Sequence, residues 1–189
     1  MIRIGILGDI GSGKSYVANN FGYPVFDADH EVSKIYKKNR KIFEKLRRKL
    51  PKYIFSFPIN KKEITKAILS DKSNLKKIIT IVHFEIRNAL KSFLKKNKNK
   101  EIVILDIPLL LENKINKKKD ILVFVQSKKK EIEKRIKKRQ NFNRKLFNIF
   151  RNIQFNIDYK KKKSHYIIIN NFTKKPVKKS INKIINEIL

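Results

Sequence analysis

The N-terminal stretch of this chain constrains its fold more than any other. Residues 2–7 form a mainly apolar run typical of a short buried strand. The run continues into the pattern G-x-x-x-x-G-K-[ST], with Gly8, Gly13, Lys14 and Ser15 at the fixed positions. A helix can begin directly after them, and strand, glycine loop and helix together aim backbone N–H groups at a phosphate chain. We therefore predict a nucleotide-phosphate site here and not a chance turn.

The residue types in this loop suggest separate roles. Glycines let the backbone curl closely round phosphates in conformations that a side chain would obstruct. Lys14 is expected to reach the β- and γ-phosphates of the nucleotide, and the Ser15 hydroxyl to bind Mg²⁺. The residues expected to contact the nucleotide here are Gly8, Asp9, Ile10, Gly11, Ser12, Gly13, Lys14, Ser15 and Tyr16.

Short strands alternate with helical patterns along the rest of the chain. Further strands are predicted at 24–29, 101–106, 120–125 and 166–170. Helices are predicted at about 30–50, 60–70, 73–96, 128–140, 145–159 and 174–189, with residues 107–112 as a loop or helical turn and 160–163 as a solvated loop. This alternation predicts an α/β fold, a parallel sheet covered by helices on both faces.

The predicted organisation is one domain with two insertions. Its core comprises residues 1–31, 98–138 and 164–189, and the insertions cover about 32–97 and 139–163. Ligands of such sheets bind beyond the carboxyl ends of the strands. The glycine loop, the acids at 27 and 29, and Asp106 all fall there.

The charge of the chain has two interpretations. Its formal net charge is +32, which fits a polyanionic partner such as nucleic acid. The excess of Lys, Asn, Ile and Phe also matches A/T-rich codons, and the basic residues are spread along the whole chain. We favour codon bias and predict no specific nucleic acid partner. The absence of cysteine and of a long apolar run fits a cytoplasmic protein without a membrane segment.

Two acids follow predicted strands and could take part in phosphate chemistry. Asp29 could accept a proton from an attacking hydroxyl, or it could be the N-cap of the helix that follows. Asp106 could bind a water of Mg²⁺, or it could be a solvated strand end. The residues alone leave both choices open.

Cationic side chains and one histidine are further candidates. Arg135, Arg139 and Arg144 lie on and after a basic helix, where arginines of a mobile segment could neutralise the transferring group or simply face solvent. His83 lies inside an apolar helix face, so it could be a core residue as well as a functional one. There is no second His or Cys at metal-ligand spacing, so a zinc site is not expected.

Nearly the whole chain resembles the dephospho-coenzyme A kinase family. The resemblance includes Asp-Ala-Asp at the end of Phe26–Asp29 and Pro-Leu-Leu-x-Glu within Asp106–Glu112, which are far more specific than the phosphate loop. The matching elements come in the family's order: Gly11–Ser15, Phe26–Asp29, His83, Asp106–Glu112, Leu122–Val125, Lys134–Arg139, Arg144, Gln154 and Ile167–Asn170.

The resemblance implies transfer of the γ-phosphoryl group of ATP, with Mg²⁺, to the ribose 3′-hydroxyl of dephospho-CoA. It implies a fold like that of nucleoside monophosphate kinases, with residues 32–97 as a helical substrate-binding insertion and 139–163 as a lid. The residues expected to be catalytic are Asp29, Lys14, Arg144 and Arg139. Those expected near the acceptor are Asp29, His83, Pro108, Leu109 and Glu112, and those near the adenine are Asn170 and Asn171. We expect a monomer or weak oligomer.

The chain departs from the family's usual residues at Leu7, Asp9, Phe84 and Ser164–His165. Three rival functions remain: another small-molecule or nucleotide kinase of the same fold, a GTPase-like switch, and a nucleic-acid-binding NTPase. The switch would need N-K-x-D for guanine, and the chain has only near misses at Asn60–Glu63 and Asn116–Asp120.

Overall fold

The computed structural model describes residues 1–138, 140 and 142–189, which form two compact units. The first unit comprises Met1–Asp27, Asn97–Phe142 and Arg151–Leu189, and the second comprises Ala28–Lys96 and Asn143–Phe150. The described helices are, in chain order, α1 (Lys14–Asn20), α2 (Ala28–Lys38), α3 (Arg40–Lys49), α4 (Lys61–Ser70), α5 (Ser73–Lys96), α6 (Lys129–Lys137), α7 (Arg144–Asn152), α8 (Ile157–Lys163) and α9 (Lys174–Ile188).

A five-stranded parallel sheet forms the centre of the first unit. Its strands are β1 (Ile2–Gly8), β2 (Val25–Asp27), β3 (Ile102–Asp106), β4 (Ile121–Gln126) and β5 (Tyr166–Ile169). Their order across the sheet is β2-β3-β1-β4-β5, so β1 lies in the middle and its carboxyl end leads into the glycine loop. The predicted parallel α/β architecture is confirmed.

Side chains alternate along β1, and both of its faces are covered. Ile4 and Ile6 are fully buried in a cluster with residues of α1 and α9. The intervening Gly5 faces the other side of the sheet, where Leu110 lies against it. A Cβ on Gly5 would overlap the Leu110 side chain, so the absence of a side chain lets the loop at residues 107–115 pack on the sheet.

The second unit is built on α5, against which α2, α3 and α4 pack. Asn60 is the N-cap of α4, and its side chain accepts the N–H of Lys62. Glu63 is buried instead of completing a capping box, and its carboxylate accepts the N–H groups of Phe55 and Ser56. None of the helices in the described ranges is long and apolar enough to cross a membrane.

Two predicted helices each proved to be a pair. The helix predicted at 30–50 breaks at Asn39, whose extended backbone and side chain cap α3 by accepting the N–H of Ile42. The helix predicted at 145–159 ends at Asn152, and Asn156 then caps α8. The solvated loop predicted at 160–163 is therefore wrong, because these residues lie in α8 and Lys160 is buried.

Candidate functional site

The loop between β1 and α1 has the conformation that phosphate binding needs. Gly8, Gly11 and Gly13 have φ angles of 149°, 84° and 87°. Residues with side chains rarely adopt such angles, and successive N–H groups in this geometry form a concave anion site. Helix α1 begins directly after the loop at Lys14, as predicted.

Two charged side chains of the loop bond to its own backbone. The Lys14 ammonium donates to the carbonyl oxygens of Gly8 and Asp9, at 3.2 and 2.8 Å. The Asp9 carboxylate accepts the N–H of Ile10 at 2.7 Å. Asp9, one of the departures from the family that the sequence resembles, thus accepts a backbone N–H group within the loop itself.

The Ser12 carbonyl oxygen joins the loop to two other parts of the sheet unit. It accepts the Asn170 Nδ2 donor at 2.8 Å and the Ser127 hydroxyl at 2.9 Å. Asn170 lies just after β5, is 1% exposed, and accepts the Phe172 N–H at 2.9 Å. A Cβ on Gly13 would overlap the Asn170 amide, so this contact also requires glycine.

The residues predicted to lie near the adenine differ in their surroundings. The Asn170 carboxamide is bonded inside the protein, whereas Asn171 is exposed and accepts the N–H and hydroxyl of Thr173. The Arg135 guanidinium lies 4.1 Å from the centroid of the Phe172 ring, a cation–π contact. Sequence reasoning had not identified Phe172 or Ser127, and no local pattern in the sequence distinguishes either residue.

Helix α6 supports the loop from another side. A Cβ on Gly11 would lie 2.8 Å from the Ile136 side chain and 3.2 Å from that of Ile132. Both isoleucines are buried and lie on the face of α6 that packs against the glycine loop. The described environment of the loop therefore includes α6, Ser127 directly after β4, and Asn170 directly after β5.

The carboxylates at the ends of β2 and β3 are neighbours in the sheet. Asp106 is 5% exposed and lies in register with Asp27. The alternative of a solvated strand end for Asp106 is therefore wrong. Asp29 is exposed and is the second residue of α2, so the position before the helix belongs to Asp27 and not to Asp29.

The oxygen donors near the loop suit Mg²⁺ bound mainly through phosphate and water. Ser15 presents an exposed hydroxyl in the first turn of α1, and Asp106 supplies a buried carboxylate. Across the described parts of the chain, no three His, Asp or Glu side chains converge as metal ligands. This donor set fits a cation that keeps several waters and binds one or two protein oxygens together with substrate phosphates.

The loop after β3 contains the residues predicted to contact the acceptor. Pro108 and Leu109 are half-buried. Glu112 is largely buried, and its Oε1 atom forms an ion pair with the Lys160 ammonium and accepts the Phe155 N–H, both at 2.8 Å. Its Oε2 atom is buried and has no hydrogen-bond partner among the described residues.

His83 and Arg144 belong to helices of the second unit. His83 is half-buried on α5, and its Nε2 atom is buried without a hydrogen-bond partner in the described ranges. Burial, with the neighbouring Arg87 charge, lowers the pKa of His83 below 6.5 and so favours the neutral ring. Arg144 is exposed at the start of α7, and Arg139 lies outside the described residues.

The family model and the curated relatives of this chain indicate the same family. The family model described as dephospho-CoA kinase matches residues 2–175. A relative from Wolbachia pipientis wMel named dephospho-CoA kinase is 31% identical over 190 residues, covering 98% of this chain and 97% of its own length.

Two solved structures resemble the chain over almost their full lengths. The crystal structure of TT1252 from Thermus thermophilus has a TM-score of 0.81 at 27% identity, with coverage of 100% of this chain and 97% of that one. The dephospho-CoA kinase from Campylobacter jejuni has a TM-score of 0.61 at 23% identity, with coverage of 98% and 96%, a likeness of fold.

Proposed function

This chain belongs to the dephospho-CoA kinase family, and we propose that residues 8–16 hold the ATP from which it phosphorylates dephospho-CoA. The family reaction is the last step of coenzyme A biosynthesis, and the enzyme is a phosphotransferase. The observation that carries the site proposal is the glycine loop, because its backbone already has the positive φ angles of an anion site and Lys14 lies at the start of the next helix.

We propose that the phosphates of ATP take over the bonds that the Lys14 ammonium now makes to Gly8 and Asp9. An ammonium held by two carbonyl oxygens is already placed over the loop, and phosphate oxygens are stronger acceptors because they are charged. The Ser12 and Gly13 backbone stays in place through the Asn170 and Ser127 hydrogen bonds. These two residues therefore preorganise the loop without having to touch the nucleotide.

Mg²⁺ would be held by the Ser15 hydroxyl and, through water, by the Asp106 carboxylate. Bound there with ATP, the ion would neutralise charge on the phosphate oxygens. The position of Asp106 supports this role, because it ends β3, the strand that pairs with β1, whose carboxyl end leads into the glycine loop.

We propose that Asp29 accepts the proton of the attacking 3′-hydroxyl group of the acceptor. Its carboxylate is exposed to solvent and lies in the first turn of α2, so it can reach a ligand. His83, Pro108, Leu109 and Glu112 would contact other parts of dephospho-CoA. The buried, unpartnered Nε2 atom of His83 and Oε2 atom of Glu112 support this assignment, because each can bond a polar group of the substrate.

Arg144 and Arg139 are proposed to neutralise the transferring phosphoryl group. A guanidinium can bind two phosphate oxygens at once, and the exposed position of Arg144 leaves it accessible. The division of the chain into a core, a helical insertion at about 32–97 and a lid at about 139–163 also remains a prediction. We further propose a cytoplasmic monomer or weak oligomer without a specific nucleic acid partner.

A coupled assay of ADP release tests the proposed function directly. ADP should appear with dephospho-CoA and not in its absence, and Lys14→Ala should abolish the reaction while the melting temperature stays near that of the wild type. Lys179→Ala, which removes an exposed lysine of α9, is the control and should keep full turnover. ADP release that does not depend on dephospho-CoA, or wild-type turnover in Lys14→Ala, would contradict the proposal.

A further inference from the structure

A buried lysine occurs where the sequence shows only a run of four lysines. Lys160 is the fourth residue of α8, and its side chain is 2% exposed, whereas the neighbouring Lys161, Lys162 and Lys163 are exposed. An ammonium group removed from water strongly destabilises a protein unless it is paired and hydrogen-bonded. The surroundings of Lys160 must therefore supply partners.

Those partners come from two separate segments of the first unit. The Lys160 ammonium forms an ion pair with Glu112 Oε1 at 2.8 Å and donates to Gln154 Oε1 at 2.9 Å. Glu112 Oε1 also accepts the N–H of Phe155 at 2.8 Å. Residues 107–115 and residues 151–163 are thus joined by one ion pair and two hydrogen bonds.

We propose that Lys160, Glu112 and Gln154 form a buried latch that positions the loop at residues 107–115 for binding the acceptor. In this inference, which rests on the acceptor role proposed above for the loop, Lys160 and Gln154 are positioning residues. Lys160 holds the Glu112 side chain, and Gln154 holds the Lys160 ammonium in line with Glu112.

The latch lies between two other attachments of the loop. Leu110 is fully buried and lies on Gly5 of the central strand, which fixes the middle of the loop. At the end of the loop, the carbonyl oxygen of Ile115 accepts the Arg3 guanidinium of β1 at 3.4 Å. Glu112 lies on the tight turns between these two points, and the latch holds its side chain there.

The chemistry of the latch favours positioning over simple stabilisation. Buried ion pairs generally contribute little net stability compared with apolar side chains of the same size, but they allow only one geometry. Glu112 also keeps a second carboxylate oxygen that is buried and has no partner among the described residues. Because Lys160 and Phe155 both bond Oε1, the latch orients Oε2 as a fixed acceptor for a donor group of the substrate.

Amide hydrogen exchange on the full chain tests the latch without relying on catalysis. Lys160→Met removes the charge and keeps much of the volume, and Lys161→Met is the matched control on the same helix. In Lys160→Met, exchange at residues 107–115 should accelerate by about tenfold or more, the factor expected for losing a hydrogen bond to a charged group. The control should leave exchange in this loop unchanged.

Kinetics separate positioning from a merely structural role. Lys160→Met should raise the KM for dephospho-CoA by about tenfold and leave the KM for ATP within about twofold. Lys160→Arg, which keeps the charge, should recover part of the loss. If Lys160→Met does not fold, Gln154→Leu serves instead, because it removes one acceptor and leaves the Lys160–Glu112 pair intact. It should also raise the KM for dephospho-CoA selectively, but by a smaller factor.

The outcomes distinguish the latch from the proposed acceptor role of the loop. In the wild type, dephospho-CoA should slow exchange at residues 107–115, and its failure to do so would overturn the acceptor role and the positioning claim together. If that protection occurs, yet the folded latch variants change neither loop exchange nor the KM for dephospho-CoA, the latch alone is overturned. A lower melting temperature with both readouts unchanged would likewise make Lys160 purely structural.

Discussion

Replacing Asn170 with aspartate would test whether its carboxamide shapes the phosphate loop. Asn170 is nearly fully buried, donates from Nδ2 to the Ser12 carbonyl oxygen at 2.8 Å, and accepts the Phe172 N–H through Oδ1 at 2.9 Å. Aspartate keeps the acceptor for Phe172. It replaces the donor with a second oxygen, which would face the Ser12 carbonyl oxygen without a proton between them.

The structure allows the size of this effect to be worked out. Losing a neutral hydrogen bond costs about 1 kcal/mol, and leaving a buried acceptor without a donor costs about 1–3 kcal/mol. The Ser12 oxygen retains the Ser127 hydroxyl at 2.9 Å, so the second figure should lie at its lower end. The binding conformation of the loop should lose about 2 kcal/mol, which raises the Kd for ATP by about thirtyfold.

Titration calorimetry with ATP at fixed ionic strength measures this change, and Asn182→Asp is the matched control. Asn182 is exposed on α9 and is not among the residues expected to contact the nucleotide. The control therefore adds the same charge without altering the contact to Ser12. Its Kd for ATP should stay within about threefold of the wild-type value, as expected for an exposed charge.

Equal ATP affinities for the two aspartate variants would refute the reasoning. That result would mean that the Asn170–Ser12 hydrogen bond does not control the loop conformation. A loss shared by both variants and removed by added salt would assign the effect to charge instead of to the hydrogen bond. The expected pattern is a loss confined to Asn170→Asp that persists when the salt concentration is raised.

Three further predictions concern the acceptor and the lid. Asp29→Asn should lower turnover by about a hundredfold or more, the usual range for a positioned base, with little change in ATP affinity; full activity with dephospho-CoA would remove Asp29 from the mechanism. Arg144→Lys should lower turnover more than ATP affinity in steady-state kinetics, because it keeps the charge and loses the two-point phosphate contact; unchanged turnover would place Arg144 on the solvated surface. Burial, with the charge of Arg87, lowers the pKa of His83 below 6.5 in the folded chain. As the pH falls below 6.5, the unfolded chain therefore takes up a proton at this histidine before the folded chain does, and the free energy of unfolding decreases. Denaturant unfolding of His83→Asn at a series of pH values should therefore show a shallower decline on the acid side, and an unchanged slope would contradict the assignment.

Local patterns sufficed to predict much of the candidate site. The glycine loop was predicted because its residue types and spacing lie within eight consecutive positions, Gly8 to Ser15. The strands β1, β3 and β4 were predicted because they are buried on both faces, and each therefore reads as a nearly continuous apolar run. Strands β2 and β3 end in Asp27 and Asp106, which the sheet then places in register.

Other features depend on residues that are far apart in the chain. Ser12 bonds to Ser127 and Asn170, at separations of 115 and 158 residues. No pattern within a strand or helix specifies such a pair, because it arises only when the ends of β1, β4 and β5 meet at one edge of the sheet. The sequence predicted that Asn170 lies near the adenine, but it could not show that both the oxygen and the nitrogen of its carboxamide are hydrogen-bonded inside the protein.

The lysines at 160–163 show the division between sequence and tertiary structure most clearly. The sequence by itself determined the parallel α/β fold, the phosphate loop and the resemblance to a kinase family, since these depend on local spacing and on the alternation of strands and helices. Which lysine of four would be buried was decided only by the packing of α8 against β1 and β4, which brings Lys160 to Glu112. Four identical side chains have the same intrinsic preferences, and only the position of Glu112 and Gln154 makes burial of the Lys160 ammonium favourable.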